Sequence, residues 1–296
     1  MSKNRTNLKR RELLKLGGKV ATVGAVAGLS QLFVGCGDNQ LQAPTSSGNA
    51  FDEETGNNSG DYSEIGTTYD GWAAGTTELI SVDYPDDSIF EQSNSCSLAV
   101  TQQTTLGPCY FADSTGEDIS LGLSGLPMQL CLRLVDSNCN PLTGYKIEIW
   151  HSDIRGVYSG DTSESSDASS FAGNFCTGGD SAAENSTWYR GLLSTDSNGR
   201  VNFKTHFPGW YSGRTIHIHF AVVDSYNNRQ LISQLCFTDD FADYICTNHG
   251  LYSGRGVQDT PLARDNVFPS DYEDFVLSTE QNEDGTLLAY HTIKLV

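Results

Sequence analysis

The sequence predicts an all-β protein: a β-sandwich core of mostly antiparallel strands connected by long loops. Several short segments alternate apolar and polar residues, as half-buried strands do. Clusters of Gly, Pro, Asn and Asp, typical of turns, lie between them. No segment after the first 36 residues keeps a long 3.6-residue apolar period. Short strands separated by turn signals favour a sandwich over a helical fold.

The predicted strands follow one another through the second half of the chain. Turn chemistry separates the first two at residues 136–141, and a second turn at residues 195–200 precedes the third. We assign residues 96–296 to the folded domain, which is long enough to bury a substantial core. The predicted strands are residues 128–136, 146–150, 201–205, 216–223, 231–237 and 287–293.

Residues 1–36 have the features of an export signal. Residues 9–15 read KRRELLK, a twin-arginine pattern, and the apolar run that follows is too rich in Gly and Ala for a membrane span. Gly35-Cys36 closes the run like a lipoprotein cleavage box, although Phe33 fits that box poorly. We expect an exported protein, periplasmic or at the cell surface, anchored through a lipidated Cys36. The alternative is an ordinary cysteine in a leader that is later removed.

Residues 37–95 form a polar, acidic segment between this leader and the domain. They are rich in Ser, Gly, Asn, Asp, Glu and Thr and show no sustained apolar period, which is typical of a linker or arm. A few aromatic residues between Tyr69 and Phe90 suggest that this part packs on the domain.

The charge of the chain excludes one class of partner. The formal net charge is −19, and residues 1–35 hold seven basic residues and one acidic residue, so the remainder carries −25. A surface this acidic repels phosphate backbones, so we expect no nucleic-acid binding. The ordinary role of such a charge is to keep an exported protein soluble.

Seven cysteines follow the leader, and the oxidising environment of an exported protein permits disulfides among them. Because seven is odd, at least one must be free or paired between chains; the connectivity stays open at this stage. No two of them have Cys-x-x-Cys spacing, which argues against a zinc ribbon. They are Cys96, Cys109, Cys131, Cys139, Cys176, Cys236 and Cys246.

Two histidines provide a candidate metal site. His217 and His219 are two residues apart on a predicted strand, so their side chains share one face and both can bind one ion. The Pro- and Gly-containing loop just before them carries Tyr211 and Arg214, and its turns can direct Tyr211 toward the strand. Tyr158 lies farther back. From the residues alone, both tyrosines have an ordinary interpretation as amphipathic side chains of a β protein.

Several stretches together resemble the intradiol ring-cleavage dioxygenases, the family of protocatechuate 3,4-dioxygenase and catechol 1,2-dioxygenase. The similarity is greatest to an exported, single-domain branch. One departure is Cys109, where family members often carry a tyrosine at the border of the substrate pocket. The matching stretches are GPCY at 107–110, IWHSD at 149–153, GVYS at 156–159, YRG at 189–191 with TD at 195–196, and FPGWYSGRTIHIH at 207–219.

The resemblance implies a non-haem iron(III) enzyme that cleaves catechol-type rings with dioxygen to muconate-type diacids. The implied substrate is a small aromatic diol such as catechol, protocatechuate or a related phenolic. Phenolates are hard anionic donors that suit ferric iron. Arg214 would stabilise charge developing on the substrate, and Tyr211 would leave the metal and accept a proton. The implied metal ligands are Tyr158, Tyr211, His217 and His219, and the implied catalytic residues are Arg214, Tyr211 and Gln234.

Two other functions stay open from the residues alone. One is a non-catalytic, transthyretin-like β-sandwich binding module. The other is a zinc or copper hydrolase at His217 and His219, although zinc rarely takes phenolate. His151 is a candidate for supporting a metal ligand, whereas His206, His249 and His291 fit structural or surface positions. The oligomeric state is also left open.

Overall fold

Two four-stranded β-sheets that share one hydrophobic core form the body of the protein in a computed structural model. It describes residues 67–91, 99–107, 109–110, 116–162, 176 and 183–296. The described strands are β1 Thr67–Tyr69, β2 Trp72–Ala74, β3 Pro127–Val135, β4 Lys146–Trp150, β5 Arg190–Ser194, β6 Arg200–His206, β7 His217–Val223, β8 Arg229–Cys236, β9 Ser278–Gln281 and β10 Leu287–Lys294.

The strand order is β6-β3-β10-β9 in one sheet and β5-β4-β7-β8 in the other, and β1 and β2 form a separate short hairpin. Strand β10 runs parallel to β3, and all other neighbouring strands in the described sheets are antiparallel. The predicted fold class, a mostly antiparallel all-β sandwich, is confirmed.

Alternation along the strands separates a core face from an outer face in the second sheet. Ile147 and Ile149 of β4 and Ile218 and Phe220 of β7 point into the shared core, where they meet apolar residues of β3, β6 and β10. Each fully buried side chain of this kind stabilises the fold by about 1.5–3 kcal/mol. The intervening residues of β4 and β7 therefore project from the opposite face of the sheet.

All six predicted strands are present, with ends that differ by up to two residues. The sequence patterns missed the hairpin strands β1 and β2, and they also missed β5 and β9 of the two sheets. Strand β5 reads RGLLS and β9 reads STEQ, and neither alternates apolar and polar residues. Both are edge strands of their sheets, where one side of the strand has no neighbour to impose a pattern.

One helix, α1 at Asp239–Asn248, was also missed. Its apolar residues are too few for a strong period, but its start carries a local signal. The Thr238 side chain accepts a hydrogen bond from the Phe241 N–H, and two aspartates occupy the first turn. Short 3₁₀ helices lie at Thr77–Leu79, Asp87–Phe90, Ala183–Asn185, Leu262–Arg264 and Tyr272–Phe275. Among the described residues, no helix has the length and apolar composition needed to cross a lipid bilayer.

Residues 67–91 lie against the first sheet. Ile89 and Phe90 pack on Cys131 of β3 and Leu288 of β10. Gln129 donates to the Val82 carbonyl at 3.0 Å. The expected packing of the segment between Tyr69 and Phe90 is therefore observed, and this part of the assigned arm belongs to the folded unit because its aromatic and apolar side chains are buried. The export signal, Cys36 and the rest of the arm lie outside the described residues.

The cysteines divide into cross-linked and free groups. Cys109 and Cys176 form a disulfide across a sequence separation of 67 residues. Cys139 is also disulfide-bonded. Cys131, Cys236 and Cys246 are buried free thiols. The prediction that at least one cysteine stays unpaired within the chain agrees with this arrangement.

Candidate functional site

A row of polar and aromatic side chains crosses the outer face of the second sheet. Strand pairing places Arg190 of β5 opposite Trp150 of β4, Trp150 opposite His219 of β7, and His219 opposite Gln234 of β8. Residues directly opposite each other on antiparallel strands share a face. The four side chains therefore form one line, at the end of the sheet where β4 finishes and β7 begins.

The two histidines point their Nε2 atoms at each other across 3.1 Å. His217 Nδ1 lies 2.7 Å from the Thr215 carbonyl oxygen and donates its proton there, which leaves Nε2 with a lone pair. Trp150 stacks on the His219 ring with the centroids 5.0 Å apart. Both imidazoles are buried and held in fixed orientations, as metal-binding histidines require.

The two tyrosines reach the same point from separate loops. The hydroxyl oxygens of Tyr158 and Tyr211 lie 3.3 and 3.0 Å from His217 Nε2. Gly156, with φ +81°, lets the Tyr158 loop approach the Trp210 carbonyl, where any Cβ would collide. The loops that carry the two tyrosines are thus packed directly on each other.

This donor set fits a metal cation. Three polar atoms, two phenol oxygens and His219 Nε2, crowd around the single lone pair of His217 Nε2. One lone pair accepts one good hydrogen bond, so hydrogen bonding to His217 Nε2 does not account for all three neighbouring atoms. A cation at the centre of the cluster would bind all four atoms. Among the described residues, no group of three or more His, Cys, Asp and Glu is placed to hold a metal ion.

Burial controls the protonation of these groups in the metal-free protein. It raises the pKa of Tyr158 well above its ordinary value, and the neighbouring Tyr211 raises it further. Burial also raises the pKa of Tyr211, which the Arg214 charge partly offsets. The pKa values of His217 and His219 fall well below normal, first through burial and then through Arg214. All four groups are neutral without a cation, and a bound cation would favour the phenolate forms.

Arg214 lies at the edge of this cluster, as its position in the sequence suggested. Its Nη2 donates to Gln234 Oε1 at 2.6 Å, and its Nη1 lies 3.5 Å from His217 Nε2. Gln234 in turn donates to the Thr105 carbonyl at 3.0 Å. The structure therefore brings all three predicted catalytic residues, of which Tyr211 is also a predicted ligand, into one site with the other three predicted ligands.

Sequence reasoning gave no role to two neighbours of the site. Arg190 is buried and donates from Nε to Ser159 Oγ at 2.6 Å and from Nη2 to the Ser159 carbonyl at 3.0 Å. Because Ser159 follows Tyr158, this contact fixes the tyrosine-bearing loop. Trp150 supports His219. The period-2 pattern of β4 placed Trp150 on the outer face, but no sequence signal gives the register that sets these residues beside the histidines.

Cys109 borders the site, as expected, but as half of a disulfide. Cys109 and Cys176 are buried in one cluster with Trp150, Tyr158 and Tyr211. The cross-link therefore packs beside both tyrosines.

The remaining histidines serve other contacts. His151 Nδ1 lies 2.8 Å from the Ser152 carbonyl oxygen and its Nε2 lies 2.7 Å from Thr205 Oγ1, so its hydrogen bonds are not made to a candidate ligand. His206, His249 and His291 contact the carbonyl oxygens of Gly75, Ala73 and Val276 respectively, consistent with structural roles.

Comparison with known proteins places this chain in a family. A family model described as Dioxygenase matches residues 112–263, more than half of the chain. The search of curated proteins gives no match. A solved structure of an intradiol ring-cleavage dioxygenase from Tetranychus urticae is 24% identical, covering 66% of this chain and 94% of that chain with a TM-score of 0.57.

Other solved structures are more distant. The 3-chlorocatechol 1,2-dioxygenase from Rhodococcus opacus 1CP is 17% identical, covering 70% of this chain and 76% of that chain with a TM-score of 0.43. The catechol 1,2-dioxygenase from Pseudomonas arvilla C-1 is 18% identical, covering 70% and 66% respectively with a TM-score of 0.45.

The chain belongs to the intradiol ring-cleavage dioxygenase family and is an enzyme of that class. This membership decides between the alternatives that the residues alone left open. It disfavours a binding module without catalytic activity and a zinc or copper hydrolase.

Proposed function

We propose that the enzyme binds iron(III) through Tyr158, Tyr211, His217 and His219 and uses it to cleave catechol-type rings with dioxygen. The ring opens between the two hydroxyl-bearing carbons and yields a muconate-type diacid. One observation carries this proposal: two phenol oxygens and a second imidazole nitrogen lie within 3.3 Å of His217 Nε2.

The chemistry of the donors favours the ferric ion. Two phenolates are hard anionic ligands, which suit a trivalent cation better than a divalent one, and two imidazoles complete the set. A catecholate would chelate bound iron(III) through its two oxygens, and the iron would make the ring carbons reactive toward dioxygen. The protein residues supply the binding, orientation and proton handling described next.

Tyr211 is the ligand that we expect to leave and to take a proton from the substrate. It lies on a loop just before β7, whereas the Tyr158 loop is tied to β5 through the contacts of Arg190 with Ser159. A phenolate released in this buried site becomes a good proton acceptor, because burial raises the pKa of Tyr211. Substrate deprotonation would then stay within the site.

Arg214 supplies positive charge on the substrate side of the cluster. Its side chain is 12% exposed, and its Nη1 lies 3.5 Å from His217 Nε2. A preorganised cation of this kind stabilises negative charge that develops on the substrate in the transition state. Removal of one such group costs roughly 100–1000-fold in rate. Gln234 accepts from the guanidinium and helps to line the pocket.

The substrate class follows from the site rather than from the surface. A small aromatic diol, such as catechol, protocatechuate or a related phenolic, presents the two adjacent oxygens that such a centre would chelate. The surface is strongly acidic and disfavours anionic substrates at long range, but Arg214 offers a local positive charge. The Cys109–Cys176 disulfide packs beside both tyrosines and would shape one wall of the pocket.

We further propose that the protein is exported by the twin-arginine route and anchored through a lipidated Cys36. The twin-arginine pattern and the cleavage-box-like end of residues 1–36 support this location. The disulfide-bonded Cys109, Cys176 and Cys139 also support it, because such bonds persist in oxidising compartments. Cleavage before Cys36 and a lipid-sized mass increase on that residue would be the expected result of mass spectrometry.

The decisive experiment is a visible absorption spectrum of the purified protein, followed by one with catechol added anaerobically. Tyrosinate bound to iron(III) gives a red-brown protein with a broad band, and chelation of catechol shifts the absorption to longer wavelength. Admission of oxygen should then consume the catechol and yield a diacid by mass spectrometry. A colourless protein after loading with iron(III) would refute the metal assignment.

A further inference from the structure

Asp265 is a fully buried carboxylate just beyond the stretch matched by the family model. Its side chain has no exposed surface, and it lies two residues after the end of that match. Arg214 Nε lies 3.1 Å from Oδ1 and 2.9 Å from Oδ2 of this carboxylate. The backbone N–H groups of Thr215 and Val267 donate to it at 2.9 and 2.8 Å. Every partner in these contacts is an N–H donor, and both carboxylate oxygens act as acceptors.

The guanidinium of Arg214 is therefore held at two edges. Asp265 takes its Nε edge and Gln234 takes Nη2, which leaves Nη1 directed at His217 Nε2. The Phe268 ring lies 5.9 Å from the guanidinium carbon. An unrestrained arginine side chain has many rotamers, and ordering it costs side-chain entropy. The contacts with Asp265 and Gln234 order the Arg214 side chain before a substrate binds.

We propose that Asp265 is a positioning residue for ring cleavage, whose carboxylate aims Arg214 at the space where substrate charge develops. This inference rests on the role of Arg214 in the proposed function. Asp265 also balances the arginine charge in a nearly water-free position, where a lone cation would be unfavourable. Loss of the carboxylate should turn the guanidinium toward solvent and away from the site.

A purely structural role is the competing explanation, because the segment from Gln258 to Asp265 also holds the backbone before β7. Gln258 Oε1 accepts from the Ile216 N–H at 2.8 Å. Asp259 accepts from Ser212 Oγ at 2.6 Å and from the Gly213 N–H at 3.1 Å. Asp259 thus supports the same loop as Asp265 but, within the part of the chain that the structure describes, makes no hydrogen bond or ion pair with the guanidinium of Arg214. Asp259→Asn is therefore a matched control.

The first test needs neither iron nor a variant. In metal-free protein labelled with ¹⁵N, hydrogen exchange of the arginine Nε–H groups is followed by NMR. Arg155 is the internal reference, because its Nε also donates to a carboxylate at 2.8 Å but its side chain is 58% exposed. We expect Arg214 Nε–H to exchange at least about tenfold more slowly than Arg155 Nε–H. Equal exchange rates would overturn the proposal, even if every variant failed to fold.

The second test compares wild-type enzyme with Asp265→Asn, Asp259→Asn, Arg214→Ala and the Arg214→Ala/Asp265→Asn double variant, each loaded with iron. We expect Asp265→Asn to lower kcat by about 10–100-fold, as for other residues that orient a functional group, with iron content and KM little changed. Asp259→Asn should stay within about twofold of wild type.

The double variant separates positioning from structure. If Asp265 acts through Arg214, adding Asp265→Asn to Arg214→Ala should lower kcat no further. Losses that multiply, or an equal loss in Asp259→Asn, would overturn the inference. A wild-type enzyme that binds no iron and cleaves no catechol would instead refute the proposed function, and the exchange measurement would still report whether Asp265 holds Arg214.

Discussion

Trp150 and His219 lie directly opposite each other on β4 and β7, and their rings stack with 10° between their planes. Tyr110 makes an edge contact with the same indole, with ring centroids 5.0 Å apart. The plane of the His219 ring is therefore set by the sheet itself, before any metal binds. The two tyrosines, by contrast, are carried by loops.

Replacement of either histidine should abolish metal binding. His217→Ala and His219→Ala each remove one of four converging donors, and we expect the purified variants to lose both iron and visible colour. Iron analysis and the absorption spectrum of each variant measure this. His249→Gln is the control, because His249 is also buried but its ring contacts Tyr69 and Tyr252. A coloured His217→Ala or His219→Ala protein would contradict the ligand assignment.

Gly107→Ala should disturb the site more than its backbone strain alone explains. Gly107 has φ +76°, and a Cβ there would lie 2.9 Å from His219 Cε1. Gly122 has φ +79° with open space around it, so Gly122→Ala carries the strain without the contact. Each should lose about 1–2 kcal/mol of stability from the left-handed backbone.

The two glycine variants should differ in iron affinity. We expect Gly107→Ala to bind iron about tenfold or more weakly, because the His219 ring must shift, while Gly122→Ala binds as wild type. Iron titration and chemical denaturation of both variants make the comparison. Equal iron affinities would show that the Gly107–His219 approach has no bearing on the metal.

The Cys109–Cys176 disulfide should contribute substantially to stability. A cross-link across a sequence separation of 67 residues lowers the entropy of the unfolded chain, which corresponds to about 4 kcal/mol in the loop-entropy treatment. The Cys109→Ser/Cys176→Ser variant should show this loss in denaturant unfolding. Cys246→Ala, which removes a buried thiol that forms no disulfide, is the control and should lose clearly less. An unchanged free energy of unfolding in the double variant would contradict the prediction.

Stability of the metal-free protein should fall as the pH drops below about 6.5. Burial lowers the pKa of His151 to about 3 and that of His206 to about 4, while both titrate near 6.5 in the unfolded chain. Between these values the unfolded state binds more protons than the folded state. The contribution that the two neutral, buried histidines make to the free energy of unfolding is therefore complete above pH 6.5. It is lost as the pH falls, at up to about 1.4 kcal/mol per pH unit for each histidine.

His206→Gln tests this pH dependence. Glutamine keeps a donor for the Gly75 carbonyl, which His206 Nε2 contacts at 3.0 Å, but it takes up no proton. The free energy of unfolding, measured with denaturant from pH 7 to pH 5, should depend less steeply on pH in the variant than in the wild type. The difference corresponds to up to one proton taken up on unfolding. An identical slope in both proteins would show that His206 does not titrate on unfolding.

The histidine pair and the fold class could be predicted because both follow from a period of two. Alternation predicted the strands of the core, and it set His217 and His219 on one face of β7. The tyrosines were different. Tyr158 lies 59 residues before His217, and only resemblance to a family linked them.

The unpredicted parts depend on contacts that no local pattern records. Arg190 reaches the site through the register of β5 on β4. Gln234 reaches it through the register of β8 on β7, and only the family resemblance had predicted its role. Asp265 meets Arg214 from 51 residues away. Helix α1 was missed because its sequence has a cap but little apolar periodicity. The packing of residues 67–91 was a suggestion from a few aromatic residues, which their burial in the fold explains.

The parallel pairing of β10 with β3 constrains how the nascent polypeptide can fold. Strand β10 lies between β3 and β9, and it contributes Leu287, Ala289 and Ile293 to the core. When the ribosome has released the chain only as far as Gln281, β3 can pair with β6 but its other side has no partner strand. The first sheet can therefore be completed only after residues 287–294 have been translated. The sandwich does not form strand by strand as the chain emerges.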